Sequence, residues 1–191
     1  AMDSSKSYRF AVAWGVSTDT HDRDGTVIAE SAAHPSAAAI EGALKQFIGN
    51  IEQVPPQYSA IKVGGKRAYD LARSNQEFVL EPRVVRVERF EISREMGSDH
   101  TEFTVDCGKG TYVRALVRDL ATALGTCGHI ITLRRTRCGQ FNEENSISLD
   151  KLEALGHKAA RLDFLLPVAT VLDDIPALAL TEEEAHRMSH G

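Results

Sequence analysis

No apolar run in the 191-residue sequence is long enough to cross a bilayer as a helix, and the first residues carry no apolar secretion signal. Cysteine is scarce. Cys107, Cys127 and Cys138 form no Cys-x-x-Cys pair and no even set, which excludes a disulfide framework and fits free thiols in the cytoplasm. Cys127 stands close to His129, but two candidate ligands do not make a zinc site, so packing is the better reading of both. Internal repeats and low-complexity tracts are absent as well. The net charge of −5 excludes a uniformly basic surface of the kind that coats nucleic acid indiscriminately.

What is present is the composition of a globular protein with a sizeable core, 42% hydrophobic and 26% charged. The length fits one ordinary domain with a fragment of a second. Ala1-Met2 reads as a tag remnant, and the abrupt start before a strand reads as a partial chain. The average charge conceals an asymmetry. From Lys109 to Arg137 the basic residues are Lys109, Arg114, Arg118, Arg134, Arg135 and Arg137, against the single acid Asp119. After Phe141 the balance reverses, through Glu143, Glu144, Asp150 and Glu153 to Glu182-Glu183-Glu184. A local basic face on an acidic protein can still meet a polyanion, because screening makes near charges matter most.

Periodicity sets out the elements. Tyr8 to Ser17 reads as a strand, Thr18 to Gly25 as a polar turn, and Thr26 to Glu30 as a short strand. Ser36 caps a helix running to about Ile48, which Gly49 stops. Val54-Pro-Pro-Gln-Tyr58 breaks regular structure, Ser59 to Val63 is extended, and Gly64-Gly65 turns the chain into a short helix from Arg67 to Ser74. Phe78 to Ser93 is β-rich, and Glu102 to Cys107 is its antiparallel partner across the Arg94 to His100 connection. Thr111 is the expected N-cap of a helix that buries Val113, Leu116, Val117, Leu120 and Leu124 and ends at Gly125. A strand from Ile130 to Gln140, a capped helix from Ser148 to Leu155, packing segments from Leu162 to Leu180 and a helix from Thr181 complete the chain. The sum is an α+β fold, a mixed and largely antiparallel sheet with helices packed on it.

Chemistry concentrates in three segments. Cys107-Gly-Lys-Gly-Thr-Tyr-Val-Arg114 delivers a tyrosine and an arginine to the first turn of a helix, where free N–H groups and the helix dipole favour an anionic partner. It continues into His129-Ile-Ile-Thr-Leu-Arg-Arg135. Lys6-Ser-Tyr8-Arg-Phe10 leads to Thr18-Asp-Thr20, Asp24 and Gly25. Gln53-Val-Pro-Pro-Gln-Tyr-Ser-Ala-Ile-Lys62 is followed by Gly65-Lys66-Arg67-Ala68-Tyr69. In this order and spacing, from about residue 5 to 170, the segments resemble the catalytic domain of the bacterial TruB-type tRNA pseudouridine-55 synthases.

The resemblance implies an isomerase that detaches a flipped-out T-loop uracil from its ribose and rejoins it through carbon, with neither metal nor cofactor. It implies that Arg114 pairs with the catalytic carboxylate, holding it ionised and aimed. Tyr8 and Tyr112 match the two pocket tyrosines, one of which stacks on the base, and Leu133 matches a pocket-lining position. Lys62, Lys66 and Arg67 match a glycine-flanked RNA-gripping insertion, and Arg134 and Arg135 are candidates for phosphate contact. The family's nucleophilic aspartate lies in a segment upstream of the Lys-x-Tyr strand; Asp19, Asp22 and Asp24 belong to a different motif, so the role passes to none of them. The implied partition is a partial catalytic domain over 5–170 and the start of a C-terminal PUA-like domain over 171–191, in a cytoplasmic monomer. Its partner is the tRNA T-arm stem-loop, with no membrane, and the polypeptide by itself is expected to be inactive. A non-catalytic RNA-binding or RNA-chaperone module is the alternative.

Overall fold

The computed structural model describes residues 5–74, 76–155, 164–171 and 179–190. It contains two compact units, Ala1–Glu143 and Glu144–Gly191.

The first unit is built on β1, Lys6–Trp14, a central strand whose Phe10, Val12 and Trp14 point into the core. Gly15 stands at φ 88, and a Cβ there would lie 3.0 Å from the Ser31 carbonyl oxygen. The chain therefore bends where the sequence pattern predicted one continuous strand, and β2, Val16–Thr18, leaves to pair with β3, Val27–Glu30. Ser36 caps α1, Ala37–Leu44, its Oγ accepting from the Ala39 N–H at 3.3 Å. A 3-10 turn over Lys45–Phe47 follows, and then β4, Gly49–Gln53. Periodicity gave no sign of β4, because its alternation is weak and its first residue, Gly49, reads as a helix stop. Pairing with β7 makes it a strand.

β5, Lys62–Val63, and β6, Lys66–Arg67, form a two-stranded hairpin that runs directly into α2, Ala68–Arg73. β7, Arg83–Glu95, begins after Pro82, so the expected strand at 78–82 has no regular structure. β8, His100–Cys107, alternates buried and half-buried residues along its whole length, as its sequence alternation predicted. α3, Val113–Ala123, buries Val113, Leu116, Val117 and Leu120 at helical spacing. It closes at Gly125, with the Thr126 N–H donating to the Ala121 carbonyl and the Gly125 N–H to that of Thr122. β9, Gly128–Cys138, and the short β10, Phe141–Asn142, complete the unit.

The six-stranded sheet has the order β10-β9-β1-β8-β7-β4, with every neighbouring pair antiparallel. Phe10, Phe90 and Phe103 form an aromatic cluster at ring separations of 5.5 to 5.9 Å, and Leu116, Val117 and Leu120 of α3 join the same core. The second unit holds α4, Leu149–Ala154, capped by Ser148, and α5, Glu182–His190. Thr181 and Glu184 form a reciprocal capping box there. Of the packing segments expected over 162–180, residues 162–163 and 172–178 fall outside the described residues. No helix among them is long and apolar enough to cross a membrane.

Candidate active site

Arg114 lies at the start of α3 and is half-buried. Its Nη1 donates to the Thr20 carbonyl at 3.0 Å and to Asp22 Oδ2 at 3.2 Å; its Nη2 donates to the Tyr58 carbonyl at 2.8 Å. A guanidinium has five N–H groups, so Nε–H and one Nη2–H remain beyond these three bonds. Arg114 and Asp22 share a cavity of about 570 Å³ with Arg23, Asp24, Ile130 and Leu133. The strand leucine is thus half exposed at the cavity rather than sunk in the core, as its 48% exposure records.

Asp22 is held from both sides. Its Oδ1 accepts from the Thr20 hydroxyl at 2.6 Å and the Asp24 N–H at 3.2 Å, while the Thr18 hydroxyl donates to its carbonyl at 2.6 Å. The loop reaches the sheet through the Ile130 N–H, which donates to the His21 carbonyl at 3.1 Å. Gly25 closes the loop. A Cβ there would lie 2.3 Å from Thr20 Oγ1 and 2.4 Å from Asp19 Oδ1, so only glycine fits. His21 has φ 61 and a buried Nδ1 without a hydrogen-bond partner among the described residues. Burial, then the charges of Arg118 and Arg114, push its pKa below the usual histidine value. Nothing in the sequence singled out Asp22 or His21, since their placement depends on a contact with Ile130 more than a hundred positions away.

Tyr112 is the N-cap of α3, so the expected Thr111 cap is corrected. The main chain of Tyr112 is held by a residue distant in sequence: Gln53 Oε1 accepts from the Tyr112 N–H at 2.9 Å, and Gln53 Nε2 donates to the Tyr112 carbonyl at 3.3 Å. Tyr8 stands on β1 opposite Arg135 of β9, two pairs along from Phe10 opposite Leu133. Burial raises the Tyr8 phenol above its ordinary value, with help from Cys107 and against the neighbouring Arg135. Neither tyrosine lines the cavity that joins Arg114 to Leu133.

Arg134 and Arg135 diverge. Strand alternation sends Arg135 to the Tyr8 face and Arg134 to the opposite one, where it is ion-paired with Glu143. Lys62, Lys66 and Arg67 are exposed on the β5–β6 hairpin, whose base holds Tyr58 edge-on to Tyr69 at 6.1 Å, with Arg73 over the Tyr69 ring at 4.4 Å. On the other sheet face, Asp106 is held below the usual carboxylate range. Burial works against this, but hydrogen bonds from Ser7 and Arg89 and the charges of Arg89 and Arg137 prevail. Among the described residues, no cluster of three or more His, Cys, Asp or Glu could hold a metal ion.

Comparison with known proteins gives this geometry a setting. The model of the TruB family pseudouridylate synthase N-terminal domain matches residues 1–113, and that of the tRNA pseudouridylate synthase B C-terminal domain matches residues 114–173. The tRNA pseudouridine synthase B of Caulobacter sp. (strain K31) is 53% identical over 190 residues, covering 100% of this chain and 61% of that protein. Its counterpart in Rhodospirillum rubrum is 49% identical over 190 residues, covering 100% and 62%. The chain thus spans about three-fifths of the length of these curated relatives. Among solved structures, the Cbf5 chain of a Cbf5-Nop10-Gar1 complex matches with a TM-score of 0.72 at 23% identity, over 100% of this chain and 50% of that one. The archaeal box H/ACA sRNP Nop10-Cbf5 complex matches with a TM-score of 0.65 at 21% identity, over 100% and 49%. These two likenesses establish a shared fold.

Proposed function

The chain belongs to the TruB family of pseudouridylate synthases, and we propose that it carries the arginine-bearing half of the active site of a tRNA pseudouridine synthase. Its substrate in this reading is the flipped-out uridine of the T-loop, and its partner is the T-arm stem-loop. The observation that carries the proposal is the Arg114 guanidinium, fixed by three acceptors at a cavity walled by Leu133.

The isomerisation needs a carboxylate that stays ionised while it attacks the sugar or base, and a guanidinium beside it supplies that condition. Arg114 keeps Nε–H and one Nη2–H for such a group, a fork suited to a carboxylate. The nucleophile itself is assigned to none of the chain's aspartates. Asp22 is committed to Arg114, Thr20 and Asp24, and Asp19 Oδ1 accepts from the Thr26 N–H at 2.8 Å. Asp22 is instead the counter-charge that orients Arg114 before the nucleophile arrives. Tyr112 and Tyr8 offer stacking surface, worth about 1–3 kcal/mol per base, against the cost of flipping the nucleotide. Lys62, Lys66, Arg67 and Arg135 face RNA phosphates in this arrangement, with Arg134 a more distant contributor.

Quantifying pseudouridine in a T-loop stem-loop RNA tests the reading. The full-length reading frame is expected to convert the RNA, its Arg114→Ala variant and the 191-residue chain alone are not. Conversion by the chain alone would overturn the assignment of the nucleophile. RNA binding by the full-length protein without conversion would favour a non-catalytic RNA-binding module.

A further inference from the structure

Four hydrogen bonds tie one short segment of chain to the start of α3. Gln53 clamps both main-chain groups of Tyr112, at 2.9 and 3.3 Å. Arg118 Nη2 donates to the Val54 carbonyl at 2.8 Å, and Arg114 Nη2 to the Tyr58 carbonyl at 2.8 Å. The two arginines are four positions apart, one helical turn, so they lie on the same face of α3. The two carbonyls they hold are also four positions apart. Between those carbonyls stand Pro55 and Pro56, both buried and both with φ fixed by the ring. The segment Gln53–Tyr58 is therefore a stiff strap laid along the helix and fastened near each end.

Its two ends lead to different things. At one end is Gln53, only 2% exposed, with a carboxamide satisfied by a single residue, Tyr112. Because the Tyr112 N–H can only donate and its carbonyl only accept, the orientation of that amide is forced. At the other end, four residues beyond Tyr58, the chain enters the Lys62–Arg67 hairpin, and the Tyr69 N–H donates back to the Ser59 carbonyl at 3.0 Å.

We infer that Gln53 and Arg118 are positioning residues of the reaction, holding the strap so that Tyr112, the Arg114 guanidinium and the base of the Lys62–Arg67 hairpin keep one fixed geometry. Neither residue touches the cavity that Arg114 shares with Leu133. They act through Tyr112 and through the Tyr58 carbonyl. The inference rests on the proposed isomerase reading, since it concerns the precision of that site. Without Arg118 the strap keeps Gln53 and Arg114 but loses its middle attachment. Without the Gln53 amide the main chain of Tyr112, where α3 begins, loses both of its bonds to the strap.

The test uses Gln53→Glu, Gln53→Leu, Arg118→Met and Arg118→Lys in the full-length reading frame. Each is assayed for kcat and KM on the T-loop stem-loop RNA and for amide hydrogen exchange at Tyr112, Val113 and Arg114. Arg118→Met leaves the core intact and remains informative where the Gln53 variants fold poorly. Arg118→Met and Gln53→Glu are expected to lower kcat roughly 10- to 100-fold, the scale of a small misplacement, with KM little changed. Exchange at the three amides should quicken in the Gln53 variants. Arg118→Lys, which keeps a donor for the Val54 carbonyl, should recover part of kcat. An unchanged kcat beside an active wild type, or an effect on KM alone, overturns the inference and leaves the isomerase reading standing. A wild-type protein that converts no uridine removes that reading, and the inference with it.

Discussion

Replacing Asp22 by Asn isolates the charge that faces Arg114. Asparagine keeps an oxygen where Oδ1 accepts from the Thr20 hydroxyl and the Asp24 N–H, and puts an amide NH2 where Oδ2 faced the guanidinium. The ion pair spans 3.2 Å, and the two side chains are 24% and 29% exposed, so it is neither a surface pair nor a buried one. Exposed pairs are worth about 0–1 kcal/mol, and breaking a buried pair costs about 3–5 kcal/mol. An intermediate loss of about 1–2 kcal/mol follows, lowering Tm by roughly 2–8 °C in a domain of this size. Turnover should suffer more than stability. Arg114 would keep the Thr20 and Tyr58 carbonyls but lose its only charged partner among the described residues, so its aim would broaden. In the full-length protein a fall in kcat of roughly 10- to 100-fold is expected, with RNA affinity within about twofold of wild type. Glu91→Gln, which alters an exposed pair with Arg89, is the control and should change neither. Thermal melts beside single-turnover conversion decide the matter. Wild-type turnover in the Asp22→Asn variant would refute the role given to Asp22.

His21 makes the pH dependence of stability testable. Its folded pKa is depressed, so the unfolded chain takes up the proton first, near the ordinary value of about 6.5. Acidification through that value should therefore destabilise the native state, by at most about 1.4 kcal/mol per pH unit. His21→Asn, which tolerates the positive φ, should remove this component. Parallel urea-midpoint curves for the two proteins between pH 7.5 and 5.5 would show the assignment to be wrong. Cys107, its thiol pushed up to about 11 by burial and held in the core, should resist alkylation at pH 8 while Cys127 and Cys138 react; mass mapping that finds Cys107 modified in native protein would contradict this. Gly25→Ala forces a methyl against Thr20 and Asp19 and should cost about 1–3 kcal/mol while displacing Asp22; an unchanged melt would show that the loop yields freely.

Much of this architecture is legible in the sequence because it is local. The apolar stripe of α3, the alternation of β8 and the caps at Ser36, Ser148 and Thr181 each depend on residues within a turn of one another. What escaped depends on partners distant in sequence. β4 is made by its hydrogen bonds to β7, and the main chain of Tyr112 at the start of α3 is held by Gln53 from 59 positions earlier. Asp22 was one of three similar aspartates in a polar loop until its neighbour's bond to Ile130 placed it at Arg114. The divergence of Arg134 and Arg135 is different. Two adjacent residues on one strand must face opposite ways, so that separation was available from the period of the strand.

The same placement changes the meaning of the basic run between Lys109 and Arg137. In the folded chain Arg114 is paired with Asp22, Arg118 with Asp119, Arg134 with Glu143 and Arg137 with Asp106. Most of the apparent excess charge is therefore compensated within reach, and its long-range field is small. Arg114 and Arg118 act as fixed donors at short range, where geometry rather than net charge decides what is bound. The hairpin is the opposite case. Lys62, Lys66 and Arg67 are exposed and make no ion pair among the described residues, so an approaching phosphate releases its counterions there. The salt dependence of RNA binding should thus follow the hairpin and not the basic run. Lys66→Ala should reduce the slope of log affinity against log salt by about one, and Arg134→Ala, already compensated by Glu143, by clearly less. Titrations of a T-loop stem-loop across a salt series would measure both slopes. A larger loss of slope for Arg134→Ala than for Lys66→Ala would show that the Glu143 pair opens on binding, and that RNA reaches the far face of the sheet.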